Sequence, residues 1–108
     1  MDYVVDSYGK SYKVSLSARN YTDGNLAIRM DYFDGEVRCW LPFANLTVNL
    51  GMKLDSDCAF LDVNNCPWAR DFVEDNGLGE STGLWMPSGF CEYPLYRFKL
   101  DKIKEARK

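Results

Sequence analysis

The 108-residue chain contains no histidine. That absence removes the usual acid–base catalyst near neutral pH and the commonest nitrogen ligand for metals. A Ser-His-Asp triad is excluded outright. The four cysteines, at 39, 58, 66 and 91, form no Cys-x-x-Cys pair. A zinc site would need all four thiolates at unusual spacings, so no metal and no cofactor is expected. No apolar run approaches the ~20 residues that span a bilayer, and no membrane contact is expected. The opening MDYVVDSYGK has neither a positive leader nor an apolar core. A cytoplasmic protein with reduced thiols is the expectation.

What is present fits one small globular domain over residues 1–108. Apolar residues make up 46% of the chain, enough to offset the ordering of the backbone. The net charge of -3 conceals an uneven distribution. Residues 54–96 hold eight acids against Arg70 alone, and residues 97–108 hold six bases against two acids. The acidic middle repels phosphate, while the basic end, residues 101–108, reads as a tail or a short helix that attracts it.

Hydrophobic period predicts mostly strands. Val4 and Val5 suit a short edge strand, or an anchor for the terminus. Tyr12, Val14, Leu16 and Ala18 alternate with Lys13, Ser15 and Ser17, and Leu26, Ile28, Met30 and Tyr32 alternate with Arg29 and Asp31. Asp34-Gly35 between strand-like runs signals a hairpin. Pro42 interrupts the next run. Leu46, Val48 and Leu50 share a face, and CAFLDV at 58–63 has two mixed faces, as an interior strand would. Asn65 and Pro67 predict the entrance of one helix, with Trp68, Ala69, Phe72 and Val73 as its apolar stripe. Asn76-Gly77 closes it. Residues 77–89 hold four glycines and a proline, and read as a loop. A final aromatic strand follows, in which Pro94 predicts an edge position or a break. The expected architecture is α+β: a mainly antiparallel sheet of five or six strands, with one central helix packed on one face.

Several chemical motifs are incomplete. GLGEST lacks the Lys-Ser or Lys-Thr of a phosphate-binding loop. Asp55, Asp57 and Asp62 with Asn64 and Asn65 offer oxygen to a hard cation, yet the spacing is not that of an EF-hand, and helix capping accounts for the asparagines. Cys66 at a helix start could be activated, or could simply pack near Trp68. The best interaction candidates are Leu84, Trp85 and Met86 in the glycine-rich segment, with Phe90 and Tyr93. They serve either a partner or a lid over the core. The basic candidates are Lys99, Lys102, Lys104, Arg107 and Lys108, suited to weak nucleic-acid binding.

The run CAFLDVNNCPWARDFVEDNGLG followed by SGFCEYPLYRFKL is distinctive. Over roughly residues 25–103 the chain resembles a small bacterial family of unknown function, found on conjugative elements, plasmids and phages. Asp62, Asn64, Asn65, Cys66, Pro67, Gly77, Gly79, Gly83, Ser88, Gly89, Phe90, Tyr93, Pro94 and Tyr96 carry the likeness. It implies a mobile-element accessory protein, of the sort that blunts restriction or CRISPR defence, and carries no catalytic assignment onto these residues. A protein partner is then the first expectation, and nucleic acid at the basic tail the alternative.

Overall fold

The computed structural model describes residues 2–105. Two β-sheets and one short α-helix enclose a main core, with a smaller apolar cluster outside it. The first sheet is an antiparallel meander of β1 (Asp2–Ser7), β2 (Lys10–Asn20), β3 (Leu26–Asp34) and β4 (Cys39–Asn45). The second contains β5 (Thr47–Val48), β6 (Cys58–Leu61), β7 (Gly79–Ser88) and β8 (Cys91–Phe98), in the order β5-β6-β8-β7. The helix α1 (Ala69–Asp75) lies between β6 and β7 in the chain. A last short strand, β9 (Lys104–Glu105), runs parallel to β2 and pairs with Ser17 and Ala18, just past the end of β1.

The α+β class with one α-helix stands, but the single five- or six-stranded sheet does not. Alternation tells which residues share a face. It does not tell which sheet a strand joins. The chain changes sheet at Leu46, whose N–H donates to Ile28 O while its own carbonyl accepts Asp62 N–H. The predicted loop at 77–89 is also corrected, because most of it is β7. A register irregularity between Ser81 and Trp85 breaks its alternation, which hid the strand.

Other expectations land closer. Val14, Leu16, Leu26, Ile28 and Met30 all point into the main core, as their period required. β6 is an interior strand with two apolar faces. Ala59 and Leu61 join the main core, while Cys58 and Phe60 join a smaller cluster with Leu95 on the outer side. Pro94 is not on an edge strand, since β8 lies between β6 and β7. Its missing N–H falls beside the irregularity of β7, and past the last paired residue of β6.

The helix is shorter than its stripe suggested. Asn65 is not its N-cap. Trp68 occupies that position without a side-chain bond, and Asn65 instead donates from its backbone and side chain to the Asp62 carboxylate. The exit matches the expectation. Gly77 has φ +62°, its N–H donates to Glu74 O, and Leu78 N–H reaches back to Val73 O. That is the Schellman pattern. Seven residues do not hold a helix in isolation, so α1 depends on burying Ala69, Phe72 and Val73.

The turns follow their own chemistry. Tyr8 and Gly9 both take positive φ between β1 and β2, as a type I′ turn requires. The β3–β4 hairpin exists where Asp34-Gly35 predicted it, yet its turn is longer. Asp34 pairs with Cys39 and its carboxylate accepts the N–H groups of Glu36 and Val37. The left-handed residue there is Arg38, not Gly35. A second irregularity, between Met30 and Asp31, leaves Phe43 without an opposite residue. Phe43 packs its ring 5.0 Å from Tyr12, 6.0 Å from Tyr32 and 5.8 Å from Trp68, closing one end of the core.

Candidate interaction surface

The β7–β8 hairpin turns through Gly89 and Phe90, with Ser88 opposite Cys91. Gly89 has φ +60° and opens the turn, in the manner of a type II′ connection. A Gly-X pair between strands was the signal in the sequence for this hairpin. Phe90 is left fully exposed at the tip.

The five interaction candidates do not form one cluster. Trp85 lies opposite Pro94, and Met86 lies opposite Tyr93, so the two pairs face opposite sides of the sheet. Met86 and Tyr93 pack against the outer cluster of Cys58, Phe60 and Leu95. Trp85 faces the helix side and remains 42% exposed, while Leu84 beside it is 63% exposed. Phe90 stands apart at the turn. The sequence put these residues near one another, but strand alternation separates them.

Trp85 is held by a brace that the sequence did not reveal. The Arg70 guanidinium of α1 sits 5.0 Å from the Trp85 ring centroid, in cation–π geometry. Arg70 Nε donates to the Tyr96 hydroxyl at 3.1 Å, and that hydroxyl donates to Glu74 Oε2 at 2.5 Å. Tyr96 itself is fully buried. Burial and then the Glu74 bond push its hydroxyl above the usual range, while the Tyr96 bond holds Arg70 firmly charged. Tyr96 thus carries a polar contact from the core to the surface.

The chemical candidates are largely engaged. Asp55, Asp57 and Cys58 place their possible ligand atoms within 4.8 Å of one another. Arg97 already pairs with both carboxylates, at 2.7 Å to Asp57 and 3.3 Å to Asp55. The Arg97 bond lowers the Asp57 pKa from its ordinary value. Asp62 is buried and spends both carboxylate oxygens on Asn65. Cys66 is buried too, and burial pushes its thiol up to about 11, with the Asp62 charge adding to the rise. That rise disfavours an activated Cys66, which belongs to the main core cluster that Trp68 packs against.

Of the basic candidates, Lys99 and Lys102 are exposed around a 3-10 turn, Leu100–Lys102. The Tyr3 hydroxyl donates to Lys102 O and ties that turn to β1. Lys104 belongs to β9, while Arg107 and Lys108 lie outside the described residues. Among the described residues no helix is long and apolar enough to cross a membrane.

Two further features are not legible in the sequence. Phe33 and Trp40 are cross-strand partners on the outer face of the first sheet, 39% and 40% exposed, in edge-to-face contact at 5.5 Å. A cleft of about 470 Å³ lies between that face and β5, lined in part by Arg19, Arg29, Asn45, Thr47, Asn49 and Asp62.

Fold and surface together define a small two-sheet α+β protein with exposed aromatic side chains on its hairpins. Residues 15–108 match a family model described as a domain of unknown function (DUF4313), and the chain belongs to that family. No curated protein and no solved structure matches the chain.

Proposed function

We propose that the protein is a non-enzymatic interaction protein that docks a protein partner through the β7–β8 hairpin. The observation that carries this reading is the exposure of Phe90 at a tight turn, on the same hairpin as the braced Trp85. An aromatic side chain held in one place and still open to solvent has little ordering left to lose on binding. Glu92, exposed near the turn on the face that Trp85 shares, favours a basic partner. The engagement of Asp55 and Asp57 by Arg97, and the buried neutral thiol of Cys66, weigh against chemistry at those groups.

The finer reading rests on the resemblance to mobile-element proteins: an accessory protein of such an element, in the host cytoplasm, that occludes a basic channel of a defence nuclease. The test is affinity capture from host lysate with the native chain, Phe90→Ala and Trp85→Ala in parallel. The expected result is one basic protein, retained by the native chain, weakened by salt and lost from both variants while their thermal unfolding stays near native. Absence of any captured protein, or a protein retained equally by Phe90→Ala, overturns the reading.

A further inference from the structure

The outer face of the first sheet departs from the usual alternation of an antiparallel sheet. Its opposite face holds the core, so this one should be polar. Instead, one row rich in apolar side chains crosses all four strands of the meander. Val4 pairs with Lys13, the Lys13 ammonium lies 5.9 Å from the Phe33 ring, and Phe33 pairs with Trp40. Val4 is 60% exposed, and Phe33 and Trp40 are about as open as Trp85. Folding does not account for three apolar side chains in one solvated row. An exposed row of this kind marks a contact surface.

The charges around that row point to what covers it. Asp31 stands one row along, between Ser15 and Pro42, and Arg29 two rows along, between Ser17 and Asn45. Arg29 Nε donates to the Asp31 carboxylate at 3.1 Å. Arg19 pairs with Ala27 in the row beyond. Asp6, on the other side of the apolar row, accepts from Ser11. Register also places Asp2 opposite Ser15. Asp2, Asp6 and Asp31 thus match Lys13, Arg19 and Arg29, and the face carries no formal net charge. A strongly charged partner of either sign finds no net attraction on such a surface. A second copy of the same face does fit it, provided that a two-fold axis keeps like charges apart.

We propose that this face joins a second copy of the chain in a symmetric dimer, with the two-fold axis along the strands. Sheets stacked face to face keep their strands within about 30° of each other. That axis lays β1 over β4 and β2 over β3 of the second copy, row upon row. Val4 then meets Trp40 of the second copy, and Lys13 meets its Phe33. Ser15 meets Asp31, Ser17 meets Arg29, and Arg19 meets Ala27, so no charge faces its like. Lys13 also comes within one row of the second copy's Asp31. An axis along the aromatic row would instead stack Lys13 on Lys13. Four strands about 4.8 Å apart, over the rows from residue 11 to residue 19 of β2, give a face of about 500 Å². The two copies bury about 1,000 Å² in all, at the lower limit for a specific interface, so the dimer is weak. The surface is separate from the β7–β8 hairpin, and stands or falls independently of it.

Sedimentation equilibrium of the full chain, from about 10 µM to about 500 µM, tests this. The expected result is a reversible monomer–dimer equilibrium. Trp40→Ala should weaken the dimer about thirtyfold, as loss of a central aromatic anchor does. Val4→Glu, at an exposed position that leaves the core intact, should return the chain to monomer. Thermal unfolding of both variants should stay near native. A photo-cross-linking residue at position 4 should join β4 of a second chain. Within one chain β1 and β4 lie about 14 Å apart across two strands, out of its reach. Trp85→Ala and Phe90→Ala should dimerise like the native chain. A chain still monomeric at about 500 µM overturns the proposal. So does a dimer undiminished in folded Trp40→Ala and Val4→Glu variants, a cross-link from position 4 that maps outside β4, or a dimer lost in Phe90→Ala. A different protein cross-linked from position 4, with the chain itself monomeric, overturns it in favour of a foreign partner.

Discussion

Two hairpins expose aromatic rings, and they hold them by different means. On β3–β4 the rings support each other: Phe33 meets Trp40 edge to face across the strands, and the turn is held by the Asp34 carboxylate. On β7–β8 the support comes from elsewhere. Trp85 rests under Arg70, which is fixed by a hydroxyl on a buried tyrosine. The first hairpin is a local device. The second is coupled to the helix and the core, so changes far from Trp85 should reach it.

The largest expected effect strikes the second hairpin alone. A Cβ on Gly79 would sit 2.6 Å from Arg97 O, so Gly79→Ala must push β7 away from β8. A loss of about 1–3 kcal/mol is expected, read from denaturant unfolding. Tyr96→Phe comes next. It removes the hydroxyl bonded to both Arg70 and Glu74, at a cost of roughly 1 kcal/mol, because both partners can turn to water. Its sharper readout is Trp85 fluorescence, best followed in a Trp40→Phe, Trp68→Phe background. The emission should shift in the second hairpin while the first is untouched. If Trp85 emission is unchanged, the coupling between core and hairpin is absent.

Asp34→Ala tests the opposite side of the comparison. It removes two exposed turn bonds and should cost about 0.5–1 kcal/mol, with no effect on Trp85. Phe90→Ser should change stability least, within about 0.5 kcal/mol, since the ring touches solvent. Only partner binding should register it.

A pH test bears on the core that both hairpins share. The Cys66 thiol titrates at about 11 in the folded chain, against 9.0 when free. The neutral thiol is favoured by folding, so its contribution is complete below pH 9 and disappears as pH rises from there through about 11. The denaturant midpoint should fall over that window, and Cys66→Ala should flatten the fall. Exposed Cys39, on the first hairpin, should alkylate at pH values where Cys66 stays protected.

The sequence made the inward faces of β2 and β3 readable because each strand keeps a strict period of two. It made the end of α1 readable because Gly77 meets a backbone need that few residues can. It did not make β7 readable. There Leu84, Trp85 and Met86 stand consecutively after a register break, which mimics an aperiodic loop. Sheet membership was equally hidden, since Leu46 looks like any strand residue while redirecting the chain. Among the site residues, Trp85 and Phe90 stood out by type, but the brace at Arg70 is fifteen positions away and follows only from how α1 docks. The Phe33–Trp40 pair needed the register of β3 against β4, which the unexpected turn at Arg38 sets.

The pairing of β9 with β2 has a topological consequence. Asp2 sits opposite Ser15 and Glu105 opposite Ala18, so the first and last described strands occupy one edge of one strand, about 10 Å apart along it. The described residues therefore run in nearly a closed ring. Joining Asp2 to Glu105 by a short linker and opening the chain instead between Gly89 and Phe90 would keep every described strand pairing, and would put the new termini at the exposed Phe90 corner.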